Sequence, residues 1–202
     1  MEPMDEQLPA RPRILNAALS LFSEYGYAGA STTAIAELAE VAQPTLHYHF
    51  GSKRELFLEA LKMADARFAE GLAPTPETDA LPPLERLAAT LRSFGYMAIA
   101  QPELPRMIFN HASNPDFEKE IGTMLRAGNA EFKAMYEALT TAGVIRDINH
   151  AALIEAVVGV FGEAAAFQGM LSSAHDTDFR DETVQREFVD AIVEIFINGI
   201  KA

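Results

Sequence analysis

Between residues 43 and 48 the chain places Gln43, Pro44, Thr45, His47 and Tyr48 around a single leucine, Leu46. An amide, a hydroxyl, an imidazole and a phenol on so short a stretch can donate or accept hydrogen bonds, and only Leu46 is plainly suited to burial. A helix with such a load on its outside is how a helix-turn-helix presents a reading helix to DNA.

The flanking residues predict the elements that would hold this helix. Ser31 or Thr32 caps a preceding helix whose inward residues Ile35, Leu38 and Ala39 fall at helical spacing. That helix is expected to end near Glu40. Pro44 suits the first turn of the next helix, because its ring presets φ and its missing N–H is not needed there. Leu46 and Phe50, four apart, form the buried side. Gly51 stops the helix, and Ser52 followed by Glu55 is a capping box that opens another.

At these residues the sequence resembles the N-terminal domain of the tetracycline-repressor (TetR) family of bacterial transcription regulators. The matching runs are ILNAAL at 14–19, LFSEYGY at 21–27, IA at 35–36, LA at 38–39, PTLHYHF at 44–50, and Lys53, in order over roughly residues 11 to 60. Three positions depart from the family pattern. Glu40 stands where members usually have Gly in a left-handed turn, at a cost of about 1 kcal/mol. Ala42 stands where a Ser cap is common, which removes roughly 1 kcal/mol of capping. His47 stands where Tyr is commonest, with Tyr48 beside it.

The resemblance implies a homodimer that sets two reading helices in successive major grooves, roughly 34 Å apart, on a near-palindromic operator in double-stranded DNA. It assigns Gln43 and His47 to base edges, and Pro44 and Tyr48 to apolar or stacking contacts. Gln suits adenine, and Pro or Tyr can touch a thymine methyl. Thr33, Thr45, His49 and Lys53 are assigned to phosphates. Packing of His47 and Tyr48 on neighbouring helices is the plain alternative. The resemblance also implies a small-molecule effector among the body helices, coupled to operator binding by typically ~1–3 kcal/mol, with the helix from Lys53 to Leu72 as the lever. Met97, Phe109, Asn110, His111, Phe161, Phe167, Gln168 and Met170 combine apolar bulk with polar atoms and are the candidate pocket residues, although such residues also build ordinary cores. The implied function is a ligand-responsive transcriptional regulator, by family default a repressor.

Prolines and glycines divide the rest of the chain. Lys53 to Leu72 reads as one helix, with Leu56, Phe57, Ala60, Leu61, Ala64 and Phe68 on its apolar side. Residues 73–83 hold four prolines in eleven positions and read as a loop. Further helices are expected over 84–100, 106–113, 116–141, 149–173 and 182–200. No alternating strand pattern occurs, so the expected fold is all-α with about nine helices. It would comprise a flexible arm (1–10), a helix-turn-helix domain (11–52) and a helical ligand-binding and dimerisation domain (53–202).

Two apolar stripes bear on assembly. Gly159, Gly162, Ala166 and Gly169 recur at spacings of 3, 4 and 3, which puts them on one helix face where backbones could approach closely. A glycine inside a helix costs about 1 kcal/mol, which close packing can offset. Val184, Phe188, Ile192, Ile195 and Gly199 form the second stripe. The resemblance implies that both helices pair with their copies in a four-helix bundle; packing within one subunit is the alternative.

Composition bounds the remaining classes. The chain has 202 residues, 49% hydrophobic, enough for a sizeable core. It has no cysteine, which excludes disulfides, thiol nucleophiles and thiolate metal sites and suits a reducing cytosol. The opening MEPMDEQLPA is acidic and does not read as a signal peptide. The most apolar region, 151–171, is interrupted by Glu155, Glu163 and Gln168 and reads as a buried helix, not a membrane span. His47 and His49 point to different sides of a helix and make a poor metal pair. No Gly-rich phosphate loop, nucleophile elbow or HExxH motif is present. Neither a cofactor nor an enzyme activity is expected, and the cytoplasm is the expected location. A helical protein-interaction module or a small helical enzyme is the alternative reading.

The charge balance runs against DNA binding. The net charge is -13, whereas a nucleic-acid-binding domain is usually basic. Residues 1–62 carry five basic against eight acidic residues, a net of -3, and the remainder eleven against twenty-one, a net of -10. Four of the five, Arg11, Arg13, Lys53 and Arg54, bracket the motif. Hydroxyls and helix N-termini also hold phosphate, so a modest cation count is compatible with binding.

Overall fold

A computed structural model of the chain describes residues 8–72, 75–111 and 114–202. The described residues form eleven helices and no strand: α1 (Ala10–Gly29), α2 (Thr32–Leu38), α3 (Gln43–Phe50), α4 (Lys53–Leu72), α5 (Pro76–Asp79), α6 (Pro83–Ala100), α7 (Glu103–His111), α8 (Glu118–Thr141), α9 (His150–Ala166), α10 (Gln168–His175) and α11 (Glu182–Ile200). The all-α expectation holds, with two helices more than nine. One is α5, a single turn inside the proline-rich loop, closed by a capping box between Thr75 and Thr78. The other comes from a break in the expected helix 149–173. Of the arm expected over 1–10, residues 1–7 lie outside the described residues, and α1 begins at Ala10.

The first compact unit runs to Arg67. Aromatic packing is the reason. Phe57 of α4 meets Phe22 of α1 edge-on at 5.2 Å and Tyr27 at 5.5 Å, and Phe22 and Phe57 are fully buried. Each such ring, cut to Ala, would cost about 3–5 kcal/mol, so the early turns of α4 are part of the head's core. Leu56, Ala60, Leu61 and Ala64 are buried along the same helix. Leu38, expected to point inward, is 54% exposed; Ile35, Ala36 and Ala39 fill that side of α2.

The second unit is built around α6, which packs against both α9 and α11, while α7 packs against α9. Gly95 permits a close approach of three helices: a Cβ there would lie 2.9 Å from both Phe161 of α9 and Val189 of α11. Pro105 was expected to delay α7 to residue 106, yet α7 starts at Glu103. Pro105 falls in the first turn, where its missing N–H removes no helical bond. The expected end of that helix at Ser113 lies outside the described residues. α8 starts at Glu118, two residues later than expected, after Phe117.

Helices α9 and α10 meet at Phe167, which has φ −119° and ψ 30°, and their axes bend by 88°. Just past the break, Gln168 Nε2 donates to the Ile99 carbonyl at 2.9 Å, anchoring α10 to the end of α6. Among the described residues no single helix is long and apolar enough to cross a membrane.

Candidate nucleic-acid interface

Ser31 caps α2, its Oγ accepting from Ala34 N at 3.0 Å. The helix ends in a turn where Glu40 adopts φ 53°, the left-handed conformation expected at a position suited to glycine. Arg13 sits against this turn, donating from Nη1 to the Glu40 carbonyl at 3.4 Å with the Glu40 carboxylate 3.9 Å away. Both contacts are long and solvated, so they offset little of the strain. Ala42 gives α3 no side-chain cap, while Pro44 occupies its first turn. Gly51 takes φ 66° at the far end, and Ser52 and Glu55 form the capping box that starts α4.

These ends set the rotation of α3. Leu46 is fully buried and Phe50 nearly so, which turns the 43/47 and 44/48 pairs outward. Gln43, Pro44 and His47 are exposed, and Tyr48 is 85% exposed. Thr45 and His49 lie half-buried beside them, with His49 edge-on to Tyr48 at 5.4 Å. Thr33 is exposed near the start of α2. Two outward groups have intrachain partners. Gln43 Nε2 donates to Thr32 Oγ1 at 3.3 Å, and His47 Nδ1 lies 3.0 Å from the Gly51 carbonyl. A carbonyl only accepts, so Nδ1 carries a proton and donates to it. In the sequence Thr32 reads only as a possible cap; its bond to Gln43 spans the turn and has no sequence signature.

The cations of the head are partly occupied. Lys53 Nζ lies over the Tyr27 ring at 4.6 Å, and burial lowers its pKa. Arg11 lies over Phe50 at 5.1 Å and pairs with Glu59. The head therefore offers hydroxyl, amide and aromatic groups more than free positive charge.

The candidate pocket residues do not form one lining. Phe161 is fully buried, and Met97 fills the space beside Gly71. His111 is buried: its Nδ1–H donates to the Met107 carbonyl at 2.8 Å, and its ring meets Phe117 edge-on. Burial lowers the His111 pKa, opposed by that hydrogen bond. Phe109 and Phe167 meet edge-on at 6.3 Å on the surface, with Met170 also exposed, and Gln168 is held by Ile99. Asn110 is exposed on α7. A groove of about 660 Å³ lies elsewhere, between the end of α8 and the start of α9, beside Tyr136, Asp147 and His150.

The two stripes are also divided. The bend at Phe167 removes Gly169 from the line of Gly159, Gly162 and Ala166. Gly162 is buried within the chain, its open side filled by Phe109. Gly159 has open space beyond it, as have Gly169 and Gly199. In α11, Val189, Val193 and Ile200 face inward, whereas Val184, Phe188 and Ile192 are half-buried and Ile195 is 66% exposed. Phe188 packs on Phe179 of its own chain at 5.3 Å.

Residues 14–60 match the family model of bacterial regulatory proteins, tetR family. Over most of its length the chain is similar to the HTH-type transcriptional repressor NicS of Pseudomonas putida, 25% identical across 95% of this chain and 92% of that protein. It is likewise similar to the HTH-type transcriptional regulator RutR of Escherichia coli, 27% identical across 93% of this chain and 89% of that protein. In fold it resembles the transcriptional regulator FadR of Bacillus subtilis, solved in complex with stearoyl-CoA, with a TM-score of 0.73 and 17% identity over 94% of this chain and 99% of that one.

Proposed function

Because the chain belongs to the tetR family of bacterial regulatory proteins, we propose that it is a repressor that binds a near-palindromic operator as a homodimer and is modulated by a small molecule held in its second unit. One observation carries this reading: α3 buries Leu46 and Phe50 and turns Gln43, Pro44, His47 and Tyr48 to solvent. Tyr48, 85% exposed, leaves its ring open to contact with a thymine methyl or sugar. Gln43 and His47 read base edges, with Thr33, Thr45, His49 and Lys53 against phosphates. The partly unfilled outer faces of α9 and α11, with Gly159 and Ile195 on them, support pairing with a second copy.

Repression is inferred from the similarity to the repressor NicS, and a ligand in the second unit from the stearoyl-CoA held by FadR, which shares the fold. The named relatives are regulators, and we assign no enzyme activity. The test is selection of genomic DNA fragments by the purified protein. A palindrome with half-sites about one helical turn apart is expected, and the double variant His47→Ala, Tyr48→Ala is expected to lose it. A wild type that enriches no palindrome would overturn the reading.

A further inference from the structure

Thr32 opens α2 directly after Ser31, and the two hydroxyls divide the labour there. Ser31 Oγ accepts from Ala34 N and caps the helix. The neighbouring Thr32 Oγ1 instead accepts from Gln43 Nε2 at 3.3 Å, across eleven residues and the whole of the turn. We propose that Thr32 is a positioning residue for base readout, holding the Gln43 amide in the orientation that selects adenine. This rests on α3 being the reading helix and deepens it.

The chemistry is one of counting donors. A Gln amide has two N–H donors and one acceptor oxygen. Thr32 takes one N–H. The second N–H and Oε1 remain, and they match the N7 acceptor and N6 amino donor of adenine. Guanine presents acceptors at both N7 and O6, so an amide held this way would set Oε1 against O6. A free Gln side chain samples several rotamers and both turns of its amide. Thr, β-branched and restricted at χ1, is a firm point to hold it. Orientation is thereby fixed by a residue that need not touch a base.

Thr32 also stands at a helix N-terminus, where hydroxyls commonly meet phosphates, and the two roles leave different signatures. The full-length protein is used to select sites from a randomised duplex pool. Binding is then measured to duplexes carrying A·T or G·C at the pair where Gln43→Ala removes base preference. The wild type is expected to favour adenine there by roughly 5- to 150-fold. Thr32→Val should cut that ratio by roughly three- to tenfold, leaving binding to non-specific duplex unchanged. Thr32→Ser should retain the ratio, and Thr32→Val should add nothing in a Gln43→Ala background. Thr32→Ala, which also lacks the hydroxyl, replaces the Val variant if circular dichroism shows that the latter is unfolded.

Equal weakening of all duplexes by Thr32→Val would make Thr32 a phosphate contact and overturn the proposal. An unchanged ratio, or a wild-type preference for guanine, would also overturn it. If Gln43→Ala left every base preference intact, or no site were enriched, the reading of α3 itself would fall and the proposal with it.

Discussion

Glu40 holds a left-handed backbone, φ 53°, at the turn between α2 and α3, with long side-chain contacts from Arg13. Glu40→Gly is therefore expected to stabilise the protein by up to roughly 0.6 kcal/mol, the strain of about 1 kcal/mol relieved less the extra freedom of an unfolded glycine. Urea unfolding of both proteins measures this, and a lower midpoint for the variant would mean the turn is not strained. Glu55 gives a second expectation. Its carboxylate accepts from the Ser52 hydroxyl and backbone N–H, and these bonds hold its pKa below the ordinary glutamate value. A depressed folded pKa contributes stability that is present above the unfolded value of about 4.3 and is lost as pH falls through the folded value. Melting curves between about pH 6 and pH 3 should thus fall less steeply for Glu55→Gln than for wild type; parallel curves would remove Glu55 from the acid response. Glu40, Ala42, Gly51 and the Ser52–Glu55 box were legible in the sequence because each acts on its own local backbone. The bonds of Gln43 to Thr32 and of His47 to Gly51 were not, since they depend on how two helix ends meet.

Helix α6 shows how much a single missing methyl can matter between elements. A Cβ on Gly95 would press on Phe161 and Val189 from two sides at 2.9 Å, so Gly95→Ala is expected to destabilise by about 1–3 kcal/mol despite the better helix propensity of Ala. Thermal unfolding decides it, and a rise in midpoint would show that α6 can move away. Gly159 is the contrast, with open space beyond it. Gly159→Ala should stiffen α9 by up to about 1 kcal/mol in an isolated chain, yet weaken a dimer whose helices approach there. Sedimentation should show a dissociation constant at least roughly tenfold higher; an unaltered dimer would place Gly159 outside the interface. Most helix ends were readable from Pro and Gly positions. The break at Phe167 was not, because residue 167 carries no punctuation of its own and the anchor from Gln168 to Ile99 is sixty-nine residues away in sequence. The allegiance of α4 was hidden for the same reason: its apolar stripe was visible, but not that Phe57 meets Phe22 and Tyr27.

For the whole molecule, a net charge of -13 and a head whose Arg11, Arg13 and Lys53 already have partners leave a small electrostatic share in DNA binding. The dependence of operator affinity on salt, followed from about 50 to 200 mM, should be shallow, and a slope equal to ten or more neutralised phosphates per dimer would contradict this. The same economy of space and charge marks the second unit. Met97 lies over Gly71, Phe161 over Gly95 and Phe109 over Gly162, so the room that each glycine concedes is already taken. An effector that entered among these helices would be a tenant evicting an earlier one. Its affinity would follow how faithfully it replaces the contacts of the displaced ring or thioether, and a compound of ample surface but the wrong outline would bind worse than a smaller mimic of the side chain it ousts.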